Sequence, residues 1–151
     1  MADLLPAYAE LACVSNFTFL TGASHPEELV DRAAALGYAA LAITDEGSLA
    51  GVVRAHLAAK DAGLKLLVGA SFDLADGPRL ALYAADRSTY GDLCQLVTRG
   101  RRQAVKGSYR VTRADVAALA SRCPALWLPS PSRSGDDDAR WVAATFAGRA
   151  W

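Results

Sequence analysis

Apolar and polar positions fall into a repeating order along the chain. Tyr8 to Val14 is a short apolar run that predicts a buried strand. Ser15 and Asn16 then shape a polar turn, and Ser24 with Glu27 spells an S-x-x-E capping box, with Pro26 inside the first helical turn. The predicted helix reaches about Leu36, where Gly37 supplies a left-handed stop. "YAALAIT" follows as an unbroken apolar run, the pattern of a strand covered on both faces. Ser48 is the expected cap of a second helix whose apolar face reads Leu49, Val52, Val53, His56 and Leu57, with Gly63 as its stop. "LKLLVGAS" is the next strand. Two successive units therefore share one punctuation, a βαβαβ order that implies parallel strands joined by right-handed helical crossovers.

The order continues. "RLALYAA" from Arg79 predicts a strand, and a helix is expected from about Ser88 to Arg99. Gly100 to Arg110 reads as a basic loop, and Thr112 with Asp115 forms another capping box opening a helix to about Ser121. "ALWLPS" is a further strand, and "PSRSGDDD" is a low-complexity linker. Asp136 to Asp138 place acids at a helix N-terminus, where they suit the dipole, and that helix stops at Gly148. The pattern then calls for a strand, and only "RAW" remains. The expectation is an α/β fold, a partial barrel with mainly parallel strands, cut on its C-terminal side, with residues 1–151 forming one incomplete domain.

Composition narrows the setting. A hydrophobic fraction of 52% is enough for a packed core, and 16 basic against 16 acidic residues give no global pull toward nucleic acid or acidic membranes. Cys13, Cys94 and Cys123 form no CxxC pair, which suits a reduced, cytoplasmic protein. No run approaches the ~18 apolar residues of a membrane span, and "MADLLPAYAE" lacks the basic start of a secretory signal. A soluble protein with no membrane partner is expected. P-loop, dinucleotide, nucleophile-elbow and zinc-finger spacings do not occur.

Individual residues carry few signals of chemistry. His25 reads as a surface or loop residue at a helix start, and His56, on an apolar stripe, as a hydrogen-bonded core histidine. Cys13 would need a nearby base to act as a nucleophile and reads instead as a buried small hydrophobe. Arg99, Arg101, Arg102 and Lys106 lie in a stretch without an acid from Leu93 to Ala114. Weak phosphate contact with DNA is one reading; an exposed loop or a docking surface is the favoured one, because Tyr109 is the only ring available for stacking.

The segments "SNFTFLTGASHPEELV", "GYAALAITD", "SLAGVVRAH" and "AGLKLLVGA", taken as a set, resemble the N-terminal polymerase-and-histidinol-phosphatase (PHP) domain of bacterial C-family DNA polymerases of the error-prone, damage-induced branch. The resemblance implies a distorted (β/α) barrel leading into polymerase palm, thumb and fingers that these residues lack. It also implies a metal site at the strand ends. H-x-H of the first strand corresponds to Ala12 and Val14, an Asp-His pair to Asp45 and Glu46, an acid after Gly-x to Ser71, and a His to Arg79. Only Asp45 keeps the family ligand. Ala and Val offer no lone pair, and Arg brings a fixed positive charge. The resemblance thus implies a degenerate site, with no metal or catalytic residue in this chain. Asp45 and Glu46 read as a helix-start acid and a solvated neighbour in preference to a remnant carboxylate pair. The parent family implies Mg²⁺-dependent nucleotidyl transfer past damaged bases in DNA repair, with the polymerase core in cis and mutagenesis or repair proteins as partners. A PHP phosphoesterase with an altered site, and a stand-alone interaction protein, are the alternatives.

Overall fold

The computed structural model describes residues 7–130 and 135–151. Of the linker expected at 131–138, residues 131–134 lie outside the described residues, as does the start of the chain. Five strands form one sheet in the order β1-β2-β3-β4-β5: β1 Ala9–Cys13, β2 Ala40–Ile43, β3 Lys65–Asp73, β4 Arg79–Tyr83 and β5 Ala125–Trp127. The helices are α1 Pro26–Ala35, α2 Val52–Ala62, α3 Arg87–Arg102, α4 Arg113–Leu119 and α5 Asp136–Thr145. The expected α/β partial barrel is what the chain adopts.

β1, β2 and β3 pair in parallel, with α1 and α2 as the crossovers. The sheet then changes sense, because β3–β4 and β4–β5 are antiparallel. Residues 74–78 are too few for a parallel crossover, which needs a dozen residues or more. β3 changes partner along its length. Lys65 to Val68 pair with β2, and Gly69 to Asp73 pair with β4. Gly69 sits at that switch, where an added Cβ would lie 2.9 Å from the Leu82 carbonyl oxygen. Beyond α5, the Trp127 N–H donates to the Trp151 carbonyl and the Trp151 N–H to Ala125, so residues 149–151 run parallel beside β5.

Two apolar clusters cover the sheet. Val30, Ala33, Leu41, Ile43, Ala55 and Ala59 join α1 and α2 to β2. Phe72, Leu80, Leu82, Leu93, Leu96 and Phe146 lead a larger cluster under α3, α4 and α5. Full burial of each large side chain is worth about 1.5–3 kcal/mol before the entropy of ordering it.

Several local expectations shift. β1 is a half-exposed edge strand, not a buried one, with Leu11 39% exposed. The cap of α1 is His25, one residue after Ser24, and its N–H donates to Glu28 at 2.7 Å. Ser48 does not cap α2. Its hydroxyl accepts from the Ala50 N–H, and α2 begins after Gly51. α2 buries Val52, Ala55 and Ala59, while Val53, His56 and Leu57 face solvent, so His56 is not a core histidine. α3 starts at Arg87 under an Asp86 cap and extends through Arg102, so Arg101 and Arg102 are helical and not in a loop, with Arg99 helical as expected. No helix is long and apolar enough to cross a membrane among the described residues.

Candidate functional site at the mouth of the partial barrel

The ends of β1, β2 and β3 and the start of β4 converge on one rim, so the topology brings together Ala12, Val14, Asp45, Glu46, Ser71 and Arg79. Ala12 is exposed and Val14 half-buried at the end of β1. Neither side chain donates or accepts anything.

Asp45 is 1% exposed and faces the loop after β1. Its Oδ1 accepts from the Ser15 N–H at 2.7 Å and the Thr18 hydroxyl at 2.8 Å, and its Oδ2 accepts from the Ser15 hydroxyl at 2.7 Å. Gly51 backs the carboxylate so closely that a Cβ there would lie 3.0 Å from Oδ2. Asp45 is therefore not a helix-start acid. It is a buried acceptor that fixes the turn of Ser15 to Thr18, where charge-assisted hydrogen bonds are the strong ones. The expected role of Ser15 and Asn16 in that turn holds, with the Asn16 N–H donating to Ser24 and the Asn16 side-chain amide 2.8 Å from His25 Nδ1.

Glu46 is half-buried and not merely solvated. Oε1 accepts from the Tyr109 hydroxyl at 2.9 Å, and Oε2 lies 3.6 Å from Arg79 Nη2. Tyr109 comes from the turn after α3 and seals this side of the mouth. Its oxygen accepts from the Asp73 N–H at 2.8 Å, its ring meets Phe72 edge-on at 6.1 Å, and Gly47 (φ +54°) runs so close that a Cβ would lie 2.9 Å from the ring. Burial, and then the neighbouring Glu46 charge, push the phenol well above its ordinary value, so it remains a donor to Glu46. Arg101 donates to the Gly47 carbonyl from Nε (3.2 Å) and Nη2 (3.0 Å), and its guanidinium stands 5.8 Å from the Tyr109 ring. Arg99 faces the other way, 3.5 Å from Asp115. Arg102 and Lys106 form no ion pair among the described residues and remain exposed.

Ser71 is buried, and its hydroxyl has no hydrogen-bond partner, while its N–H donates to Asp45 and its carbonyl accepts from Gly47. Cys13 is half-buried, and burial followed by the Glu10 and Asp45 charges pushes its thiol up to about 11, which keeps it un-ionised at neutral pH. No group of three or more His, Cys, Asp or Glu side chains is arranged to hold a metal ion among the described residues. The sequence gives no sign of Thr18 at the rim, and it offers Tyr109 as a stacking ring and not as the partner of Glu46 and Asp73. Both act on residues far away in the chain, and the one local hint was a single aromatic in a polar stretch.

The sequence profile of the PHP domain matches residues 10–143. The chain belongs to the PHP domain family. Error-prone DNA polymerase from Bordetella parapertussis is 51% identical over 168 aligned residues, covering 100% of this chain and 16% of that protein. The error-prone DNA polymerases of Methylococcus capsulatus (53%) and Aromatoleum aromaticum (54%) each cover 95% of this PHP chain and 14% of their own length. The chain thus spans about one sixth or less of these relatives. Among solved structures, a candidate metal-dependent phosphoesterase from Bifidobacterium adolescentis superimposes with a TM-score of 0.71 at 15% identity, over 93% of this chain and 75% of that one. At that identity the likeness is one of fold. The resemblance read from the sequence segments therefore holds for both family and architecture.

Proposed function

We propose that this chain is the PHP module of an error-prone DNA polymerase, kept as a scaffold and docking surface around a degenerate metal site. Identity of 51–54% across 95–100% of the chain supports the parent protein. The observation that carries the degenerate site is the state of the two remaining carboxylates. Both Asp45 oxygens are spent on Ser15 and Thr18, and Glu46 is spent on Tyr109 and Arg79. A cluster of divalent ions needs several uncommitted anionic or imidazole donors, and its charges would sit against the Arg79 guanidinium. These residues do not fit such a cluster. In place of a metal ion, Glu46 has a guanidinium and a phenol.

In a complete protein of this kind, nucleotidyl transfer past damaged template bases would belong to a Mg²⁺-dependent palm outside these residues. The polymerase body in cis and repair or mutagenesis proteins would be the partners, in the cytoplasm. Catalysis is not expected of this chain alone. Calorimetric titration of the purified chain with Mn²⁺ and Zn²⁺ tests the reading. The expected result is no stoichiometric site of micromolar or better affinity. A stoichiometric site lost on Asp45→Asn substitution would overturn it and favour a phosphoesterase.

A further inference from the structure

The basic residues at the end of α3 do not act as one patch. Arg101 turns to the mouth, where it is bonded to the Gly47 carbonyl. Arg99 and Arg102 instead line a groove between α3 and α4, a cavity of ≈ 440 Å³ shared with Cys94, Gln95, Gln103 and Leu119. Positions 95, 99, 102 and 103 lie at helical spacing, so α3 and its C-cap bring two guanidiniums and two amides to one face.

No acidic side chain is among the lining residues. One carboxylate, Asp115 of α4, touches them. It is 7% exposed, its Oδ2 accepts from the Thr112 N–H at 3.0 Å and hydroxyl at 2.8 Å, and its Oδ1 lies 3.5 Å from Arg99 Nη1. Gln103 is hydrogen-bonded to it as well. Asp115 therefore orients Arg99 and Gln103 without entering the groove, and Arg102 keeps no ion pair among the described residues. The negative end of the α3 dipole, about half a charge, lies here too. Two guanidiniums against Asp115 and that dipole leave a small positive surplus. It suits a single anionic group held weakly.

The donors select the anion. Guanidinium forks flanked by amides offer more N–H groups than a carboxylate's two oxygens need, and they match the oxygens of a phosphate. No aromatic ring lines the groove, so a base would find nothing to stack on, which favours a phosphate carried on a polymer over a free nucleotide. Resting on the reading of a polymerase module, we propose that the α3–α4 groove holds one backbone phosphate of DNA, with Arg102 as the main contact and Arg99 as its oriented partner. Nothing in the lining reads a base edge, so the contact is independent of sequence. The chain as a whole is neutral, with 16 basic and 16 acidic residues, so binding should be confined to this groove and not spread over the surface.

Cys94 lines the same groove and reports its occupancy. The test is iodoacetamide alkylation of the full chain at low salt, read at the Cys94 peptide by mass spectrometry, beside anisotropy with a labelled oligothymidylate. The oligonucleotide should slow alkylation of Cys94 over the concentrations where anisotropy reports binding. Arg102→Gln should weaken binding about three- to tenfold and lower the log–log salt slope by about 0.7, the loss of one single-strand phosphate contact. Arg32→Gln, at an exposed position of α1, removes the same charge and should do neither. The proposal is overturned if the oligonucleotide does not bind, if it binds and leaves Cys94 unprotected, or if the two variants behave alike. Inorganic phosphate or thymidine monophosphate protecting Cys94 at the same concentration would make this a free-phosphate site, and polyglutamate doing so a protein-docking site; either result also overturns it. These outcomes do not touch the metal titration, so failure of the groove and failure of the scaffold reading are distinguishable.

Discussion

Asp45 shows how a buried carboxylate can do its work inside the fold. A carboxylate that serves only as a metal ligand is a burden to the metal-free fold, and removing it relieves charge. Here it is the buried acceptor for three donors. Asp45→Ala would leave those donors unpaired and should cost about 2–4 kcal/mol, read as a lowered urea midpoint in metal-free buffer. Unchanged or raised stability would mean the carboxylate is a ligand in waiting. Its position at a strand end was legible in the sequence. Its role was not, because its partners lie 27 and 30 residues upstream. Tyr109 was hidden for the same reason, standing 63 residues from Glu46. The cysteines give a second residue-scale outcome. Burial raises the Cys13 thiol from 9.0 to about 11 and the Cys123 thiol from 9.0 to about 12. Raised values favour the protonated folded form, so this stability is whole below pH 9 and fades as pH climbs through 11 to 12. Cys123→Ala should make the alkaline decline shallower, as measured by midpoints at a series of pH values.

Elements were most legible where their determinants are local. Thr112 and Asp115 cap α4 as their spacing predicts, with the Thr112 N–H donating to the carboxylate at 3.0 Å, and Gly37, Gly63 and Gly148 take the left-handed φ of +72°, +67° and +70°. The buried face of α2 was misread because Val53, His56 and Leu57 form the more apolar stripe. Small Ala55 and Ala59 are what let α1 approach closely, and alanine gives little signal in a hydropathy pattern. The turn between β3 and β4 was likewise overlooked, although Asp76-Gly77 is a turn dipeptide. Two glycines separate packing from flexibility. At Gly22 an added Cβ would come 2.0 Å from the Ser15 carbonyl oxygen, inside the loop that Asp45 holds. Gly22→Ala should therefore destabilise by about 1–3 kcal/mol. Gly91, within α3, has nothing within 4 Å of such a Cβ, and Gly91→Ala should stabilise by about 0.5–1 kcal/mol. Urea midpoints of the pair should move in opposite directions.

At the scale of the whole molecule, one strand joins two cores. β3 contributes its first half to the parallel ladder with β2 and its second half to the antiparallel ladder with β4. The α/β repeat was visible in the sequence, but this change of partner was not, since it depends on where β4 returns. Continuous pairing should make the two clusters unfold together. With Trp151 replaced by Phe, the tryptophans allow a direct check, because Trp127 and Trp141 both pack against the larger cluster. Their fluorescence reports that half, while far-ultraviolet dichroism reports helices of both. Val30 lies fully buried in the smaller cluster, and Phe146 fully buried in the larger. Val30→Ala should cost about 2 kcal/mol and Phe146→Ala about 3–5 kcal/mol. If β3 couples the halves, Val30→Ala shifts the tryptophan transition as far as the dichroism transition, although no tryptophan is near the substitution. A tryptophan transition left in place while the dichroism splits into two steps would show that the partner switch at Gly69 is a boundary between separately unfolding units.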